Sequence, residues 1–169
     1  SSDLFDKSIA AREGAPQWTF YEGPPTANGL PGTHHIEARV FKDVFPRFHT
    51  MKGKYVPRRA GWDCHGLPVE LAVEKELGFT GKTDIEKYGV AEFNKKCRDS
   101  VLRHVDAFTE MTERMGFWVD FDSAYWTMSS EYVESVWWSL SQIWKHGLLV
   151  QDHRVAPYCP RCGTGLSDH

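Results

Sequence analysis

The sequence predicts an α/β fold built on a parallel sheet. Three observations carry this. An aromatic, β-prone segment at residues 18–22 runs through a Gly- and Pro-rich loop into a helical period that starts at Thr33. After Gly53 the chain returns into a second β-prone segment, residues 54–62, which makes a strand–helix–strand crossover. Two further stretches, 90–115 and 130–146, carry apolar residues at helical spacing.

Composition sets the outer bounds. A chain of 169 residues is long enough for one core, and 41% hydrophobic with 25% charged residues is ordinary for a soluble globular protein. A formal net charge of -3 excludes a generally basic nucleic-acid coat, leaving Lys52, Lys54, Arg58 and Arg59 as a local basic strip. The opening residues lack a targeting pattern, and four cysteines without one read as reduced, cytosolic thiols rather than a disulfide framework. No apolar run approaches the ~18 residues that would span a bilayer, so no membrane partner is expected.

Residues 1–17 read as a polar arm or short helix ending at Pro16. Gly23 to Gly32 holds three Pro, three Gly and Asn28-Gly29, which is loop chemistry. Thr33 is the expected N-cap of a helix whose apolar positions are Ile36, Val40, Val44, Phe48 and Met51. Pro46 should kink or split that helix near Phe45, and Gly53 should end it. Pro68 to Leu77 reads as a short helix stopped by Gly78, and Thr83-Asp84 opens another. Residues 90–115 read as one amphipathic helix. In the helix over 130–146, the stripe Val133, Val136, Trp137, Leu140, Ile143 and Trp144 reads as a face packed in the core, with Gly147 as the stop. Leu149 to Pro157 reads as a last strand leading into Cys159.

Three places can carry chemistry. The first is Gly23 to His35, where a strand and a glycine loop deliver His34 and His35 to a helix N-terminus. Exposed N–H groups and the helix dipole favour an anion there, so a nucleotide phosphate fits; the plain alternative is a Pro-rich loop ahead of a helix. The second is Gly61-Trp62-Asp63-Cys64-His65-Gly66, at the C-terminal end of the second strand, the edge where open α/β sheets bind ligands. Asp63 can hold a cationic group such as an α-ammonium, or merely cap the following helix. Neighbouring Cys64 and His65 seldom converge on one centre, and no triad partner is visible. The third is Cys159-Pro160-Arg161-Cys162-Gly163, two thiolates on a tight turn. This is half of a zinc-ribbon ligand set, with His169 as a third candidate and a redox pair as the competing reading.

Taken together, F-Y-E-G-P-P-T-A-N-G-L-P-G-T-H-H resembles the signature region of the class I aminoacyl-tRNA synthetases. R-R-A-G-W-D-C-H-G-L-P-V-E-L, S-V-W-W-S-L and D-H-R-V-A-P-Y-C-P-R-C-G-T-G-L-S-D-H resemble its isoleucyl branch, so the likeness covers nearly the whole chain. It implies the first half of a Rossmann-like parallel-sheet catalytic domain over residues 18–148, after an N-terminal arm at 1–17. Residues 149–169 would begin an inserted zinc-ribbon region that leads to an editing domain. It also implies ATP-dependent activation of isoleucine and transfer to tRNA(Ile) by a cytoplasmic, monomeric full enzyme, with Mg2+ accompanying ATP and Zn2+ on Cys159 and Cys162.

The resemblance assigns His35 and His34 as catalytic residues. It places Pro25, Asn28, Gly29, Gly32, Thr33, His34 and His35 on ATP, and Gly23, Pro24 and Asp63 on the amino acid. The usual signature is His, any residue, Gly, His; here Gly32-Thr33-His34-His35 exchanges the first His and the Gly. His35 keeps its place, and His34 is expected to do the work of the missing first His. The related enzymes are several times longer. Their Lys-Met-Ser-Lys-Ser loop is not in this stretch, so these residues alone should form little or no adenylate. Open alternatives are a valyl or leucyl enzyme, and a non-catalytic nucleic-acid or zinc-binding module derived from one.

Overall fold

The computed structural model describes residues 2–161 and 163–166. The expected parallel sheet is present, with three strands in the order β1-β2-β3. They are β1 (Phe20–Tyr21), β2 (Arg58–Trp62) and β3 (Asp120–Trp126). The crossover from β1 to β2 is a single helix, α2 (Thr33–Met51), preceded in the chain by α1 (Ser2–Ala10). Four helices join β2 to β3: α3 (Leu67–Leu77), α4 (Lys82–Tyr88), α5 (Val90–Leu102) and α6 (Val105–Arg114). A long helix, α7 (Ser130–Lys145), follows β3. The antiparallel pair β4 (Tyr158–Cys159) and β5 (Thr164–Gly165) completes the described fold.

β1 and β2 are shorter than the β-prone segments that contain them. Their pairing nevertheless reaches further, because Trp18 N–H donates to the Tyr55 carbonyl at 2.8 Å and Glu22 N–H to the Arg59 carbonyl at 2.8 Å. The helix over Leu67–Leu77 stops as expected, at a left-handed Gly78 with φ 71°.

Several expectations are corrected. β3 lies where no strand was expected. Its pairing runs from Arg59↔Asp120 to Gly61↔Tyr125, so the extra residues of β3 form a bulge. The Asp120 carboxylate holds that bulge by accepting from the Asp122 and Ser123 backbones. The residues 149–157, expected as a strand, have no regular structure. Instead of one helix over 90–115 there are two, because His104 leaves helical geometry and donates its N–H to the Ala27 carbonyl at 3.1 Å.

α2 runs unbroken through Pro46, which lies in its buried face, and its N-cap is Gly32 rather than Thr33. Its apolar stripe faces outward: Ile36, Val40, Val44, Phe48 and Met51 are all exposed. The inward face is polar. Arg58, 1% exposed, reaches Asp43 at 3.2 Å and Thr50 Oγ1 at 3.0 Å. Burial therefore takes Arg58 out of the proposed basic strip and pushes its pKa down to about 10, with Asp43 opposing. The α7 stripe is likewise no core face: no described residue of the helix is buried, and Trp137, Trp138 and Trp144 stand about two-thirds exposed.

The main core lies between β2 and the α3–α5–α6 side, around Ala27, Trp62, Cys64, Val69, Val101 and Phe108. Ala27 belongs to the Gly- and Pro-rich loop, so that loop is anchored in the core at its midpoint.

Candidate active site

The loop between β1 and α2 is tied down along its length. The Pro25 carbonyl accepts from Asp63 N–H at 3.0 Å, and Ala27 accepts from His104. Asn28 Nδ2 donates to the Pro68 carbonyl at 3.0 Å. These bonds join the loop to the end of β2 and the start of α3. The Gly23–His35 and Asp63 regions, separate in the chain, thus share the C-terminal edge of the sheet.

At the helix start, Gly32 is extended (φ -111°) and donates its N–H to His35 Nδ1 at 2.9 Å. The His35 ring takes the part that a Glu side chain plays in a capping box. Because Nδ1 accepts, the ring proton sits on Nε2, which leaves a donor for a ligand. Burial first, then the nearby His34 and Arg39, hold the His35 pKa below its ordinary value. The ring also meets the Phe108 ring edge-on, with centroids 4.8 Å apart.

His34 is exposed, and its ring centroid lies 3.9 Å from that of His35. A Cβ added to Gly32 would come 2.9 Å from His34 Cε1. The exchanged histidine therefore leans back over the position that the glycine leaves empty. Thr33 is exposed at the first turn, and Gly29 sits on the exposed outer part of the loop with nothing near its Cα face.

Asp63 is half-buried. Its carboxylate oxygens lie 3.5 Å from the Thr26 and Thr127 hydroxyls, and among the described residues no cation pairs with it. It does not cap α3, whose N-cap is Gly66. Cys64 is buried, with its thiol donating to the Trp62 carbonyl, while His65 points to an exposed surface, so the two form no nucleophilic pair.

Sequence reasoning missed a charged group beneath Gly23 and Pro24. Glu22 is 3% exposed and pairs with Lys42 Nζ at 2.7 Å. Arg39 is also buried, and burial lowers its pKa against the pull of Glu22. His35, Arg39 and Lys42 share one helix face at i, i+4 and i+7, a spacing legible in the sequence. Gly23 is fitted to this group, since a Cβ there would lie 3.2 Å from Lys42 Nζ.

At the far end, the turn after Cys159 closes through Gly163 N–H to the Cys159 carbonyl at 2.9 Å, with Gly163 at φ 66°. Cys162 and His169 lie outside the described residues. Among the described residues no group of three metal-ligating side chains converges.

A helix N-terminus at the C-terminal edge of a parallel sheet, with a carboxylate across the loop that no described cation pairs, can seat an anion beside a cationic group. The chain belongs to the family of class I tRNA synthetases (I, L, M and V), which matches residues 1–169. It is 75% identical to the isoleucine–tRNA ligase of Cutibacterium acnes over 98% of this chain and 15% of that protein. It is 56% identical to the isoleucine–tRNA ligase of Thermus thermophilus, over 98% of this chain and 16% of that one. The chain thus spans about one-sixth of the length of these curated relatives. In fold it is similar to LeuRS of Agrobacterium radiobacter K84, solved as a ternary complex with tRNA and LeuAMS. That match has a TM-score of 0.57 at 19% identity and covers 87% of this chain and 17% of that one.

Proposed function

We propose that this chain forms the amino-acid and ATP side of an isoleucine–tRNA ligase. The observation that carries the reading is the pair of histidines at the N-terminus of α2, at the end of a loop that Asp63 N–H holds through the Pro25 carbonyl. In the reaction an isoleucine carboxylate oxygen attacks the α-phosphorus of ATP. A P–O bond forms, the bond to pyrophosphate breaks, and pyrophosphate leaves. The 3′-terminal ribose hydroxyl of tRNA(Ile) then attacks the carbonyl carbon, and AMP leaves. No covalent enzyme intermediate is required, so the protein works by positioning and by stabilising charge.

In this reading Asp63 binds the α-ammonium, and Gly23 and Pro24 pass beside the side chain. Pro25, Asn28, Gly29, Gly32 and Thr33 lie along ATP, and Mg2+ arrives with its phosphates. His35 donates Nε2–H to a phosphate oxygen. His34 supplies the second imidazole from its position over Gly32, which the close approach of its ring to that glycine supports. The knuckle turn at Cys159, with Cys162, would contribute half the ligands of a Zn2+ site at the start of an inserted region over 149–169. Zinc stoichiometry of the purified full-length enzyme, with and without Cys159→Ser, tests that assignment.

ATP–pyrophosphate exchange driven by isoleucine, with valine and leucine as competitors, tests the whole reading. Exchange best supported by valine or leucine would overturn the isoleucine assignment. Unchanged exchange in His34→Ala would remove the role of His34. Residues 1–169 alone should form little or no adenylate, and robust exchange by them would refute that.

A further inference from the structure

Tyr125 has no place in the reading so far, yet it links three strands. It stands opposite Gly61 in the β2–β3 register. A Cβ on Gly61 would collide with the Tyr125 ring and lie 2.7 Å from its Oη. The ring therefore lies flat across β2 where β2 has no side chain. Beyond it, the Oη donates to the Glu22 carbonyl, at the end of β1, at 2.6 Å. The amide N–H of Glu22 is already held by the Arg59 carbonyl. The residue before Gly23 is thus clamped from both sides, by β2 through its N–H and by β3 through its C=O.

The ring itself is held. It stacks on Tyr132, in the first turn of α7, with centroids 5.6 Å apart and planes 8° apart, and it meets Tyr21 edge-on at 6.1 Å. Burial, then Tyr132, Glu22 and Asp63, raise the pKa of the phenol, so it remains a donor across the working pH range. Gly23, next in the chain, is the residue least able to hold its own backbone direction. What fixes the exit of the chain from the sheet into Gly23-Pro24 is the Glu22 clamp.

We propose that Tyr125 is a positioning residue for the amino-acid end of the site, acting through the Glu22 carbonyl on Gly23 and Pro24, with Gly61 as the gap that lets it reach. The inference rests on the proposed assignment of Gly23 and Pro24 to the amino acid. A positioning role predicts a selective defect. Losing one hydrogen bond should weaken the amino-acid subsite, while the ATP subsite, anchored by Ala27 and the start of α2, keeps its supports.

The test is Tyr125→Phe in the full-length enzyme, read by ATP–pyrophosphate exchange. The expected result is a rise of about 2- to 10-fold in KM for isoleucine, with KM for ATP and kcat unchanged. Gly61→Ala, which drives the ring off β2, should show the same selectivity with a larger rise. An unchanged KM for isoleucine, a parallel rise in both KM values, or a fall in kcat alone overturns the proposal. If Tyr125→Phe does not fold, as judged by its Tm, Tyr132→Leu replaces it. That variant removes the stacking partner and keeps the phenol, so a smaller selective rise is expected and none overturns the role. Wild-type enzyme without isoleucine-dependent exchange would sink the functional reading itself. A wild type that exchanges, beside a variant with unchanged constants, sinks only the role of Tyr125.

Discussion

The His34 ring occupies the space beside Gly32 that a side chain at 32 would need: a Cβ there would stand 2.9 Å from His34 Cε1. The exchange of His and Gly in the signature is thus a coupled pair of changes. Gly32 has φ -111°, which any residue adopts, so no backbone strain requires the glycine. His34 does.

Coupling of this kind predicts non-additivity. Gly32→His alone should cripple exchange, because its side chain and the His34 ring compete for one space. The double variant Gly32→His with His34→Gly restores the common His-x-Gly-His order and should recover most of the lost activity. Steady-state exchange on the four proteins of this cycle measures it. Additive losses would show that the two positions act independently.

His35 carries a pH prediction. Its pKa is lowered in the fold, mainly by burial and by the neighbouring His34 and Arg39. A lowered histidine pKa means that the unfolded chain binds the proton first. The stability from the neutral ring is complete above its unfolded value of about 6.5, and it is lost as the pH falls from there through the lower folded value. The same protonation removes the acceptor from Gly32 N–H. NMR titration of the His35 ring should give a midpoint below that of a model histidine. His49 is lowered in the same direction, so the resonances must be assigned by His35→Gln and His49→Gln.

The buried charges under the loop rank two substitutions. Glu22→Gln leaves buried Arg39, Lys42 and His35 with no carboxylate among them. Lys42→Met leaves Glu22 with Arg39 still close enough to interact. Because Lys42 is about one-third exposed, the loss from Glu22→Gln should be about 1–3 kcal/mol, below that of a fully buried pair. Lys42→Met should cost less. Urea denaturation of the three proteins tests the order, and the reverse order would make Lys42 the main partner.

How much of this was legible varies with the kind of signal. The β1–loop–α2–β2 crossover showed in sequence because Gly and Pro punctuate it and the helical period is clean. β3 did not, because the Asp120–Ser123 bulge breaks the alternation that marks a strand. α2 and α7 were legible as helices, yet the apolar stripe of α7, expected as a core face, is exposed. Periodicity reports that a face is apolar, not what covers it, and the inward face of α2 is built from Arg39, Asp43 and Thr50 instead. In the site, the loop, His35 and Asp63 could be found from residue type. Tyr125 could not, since it meets Glu22 across 103 residues with no pattern linking them.

The α7 correction is itself testable. Trp137 is about two-thirds exposed, so Trp137→Ala in the 169-residue chain should change stability by less than about 0.5 kcal/mol. Trp62, 3% exposed in the core, should cost about 3–5 kcal/mol when truncated to Ala. Urea titrations followed by far-ultraviolet circular dichroism avoid the loss of the tryptophan signal. A large loss from Trp137→Ala would return that helix face to the core.

Phe108 joins stability to the site. It is 1% exposed, with Trp62 edge-on at 6.2 Å and the His35 ring edge-on at 4.8 Å. Phe108→Ala should cost about 3–5 kcal/mol by opening the main core. Phe108→Leu preserves most of the apolar volume and should cost about 1–1.5 kcal/mol. It also removes the ring edge that shields His35. Since burial is the largest cause of the lowered His35 pKa, that midpoint should move back up toward the ordinary histidine value in Phe108→Leu. Urea denaturation gives the first quantity and the His35 ring titration the second. A Leu variant that loses stability while the His35 midpoint stays fixed would mean that the neighbouring cations, not the packing of Phe108, keep His35 neutral.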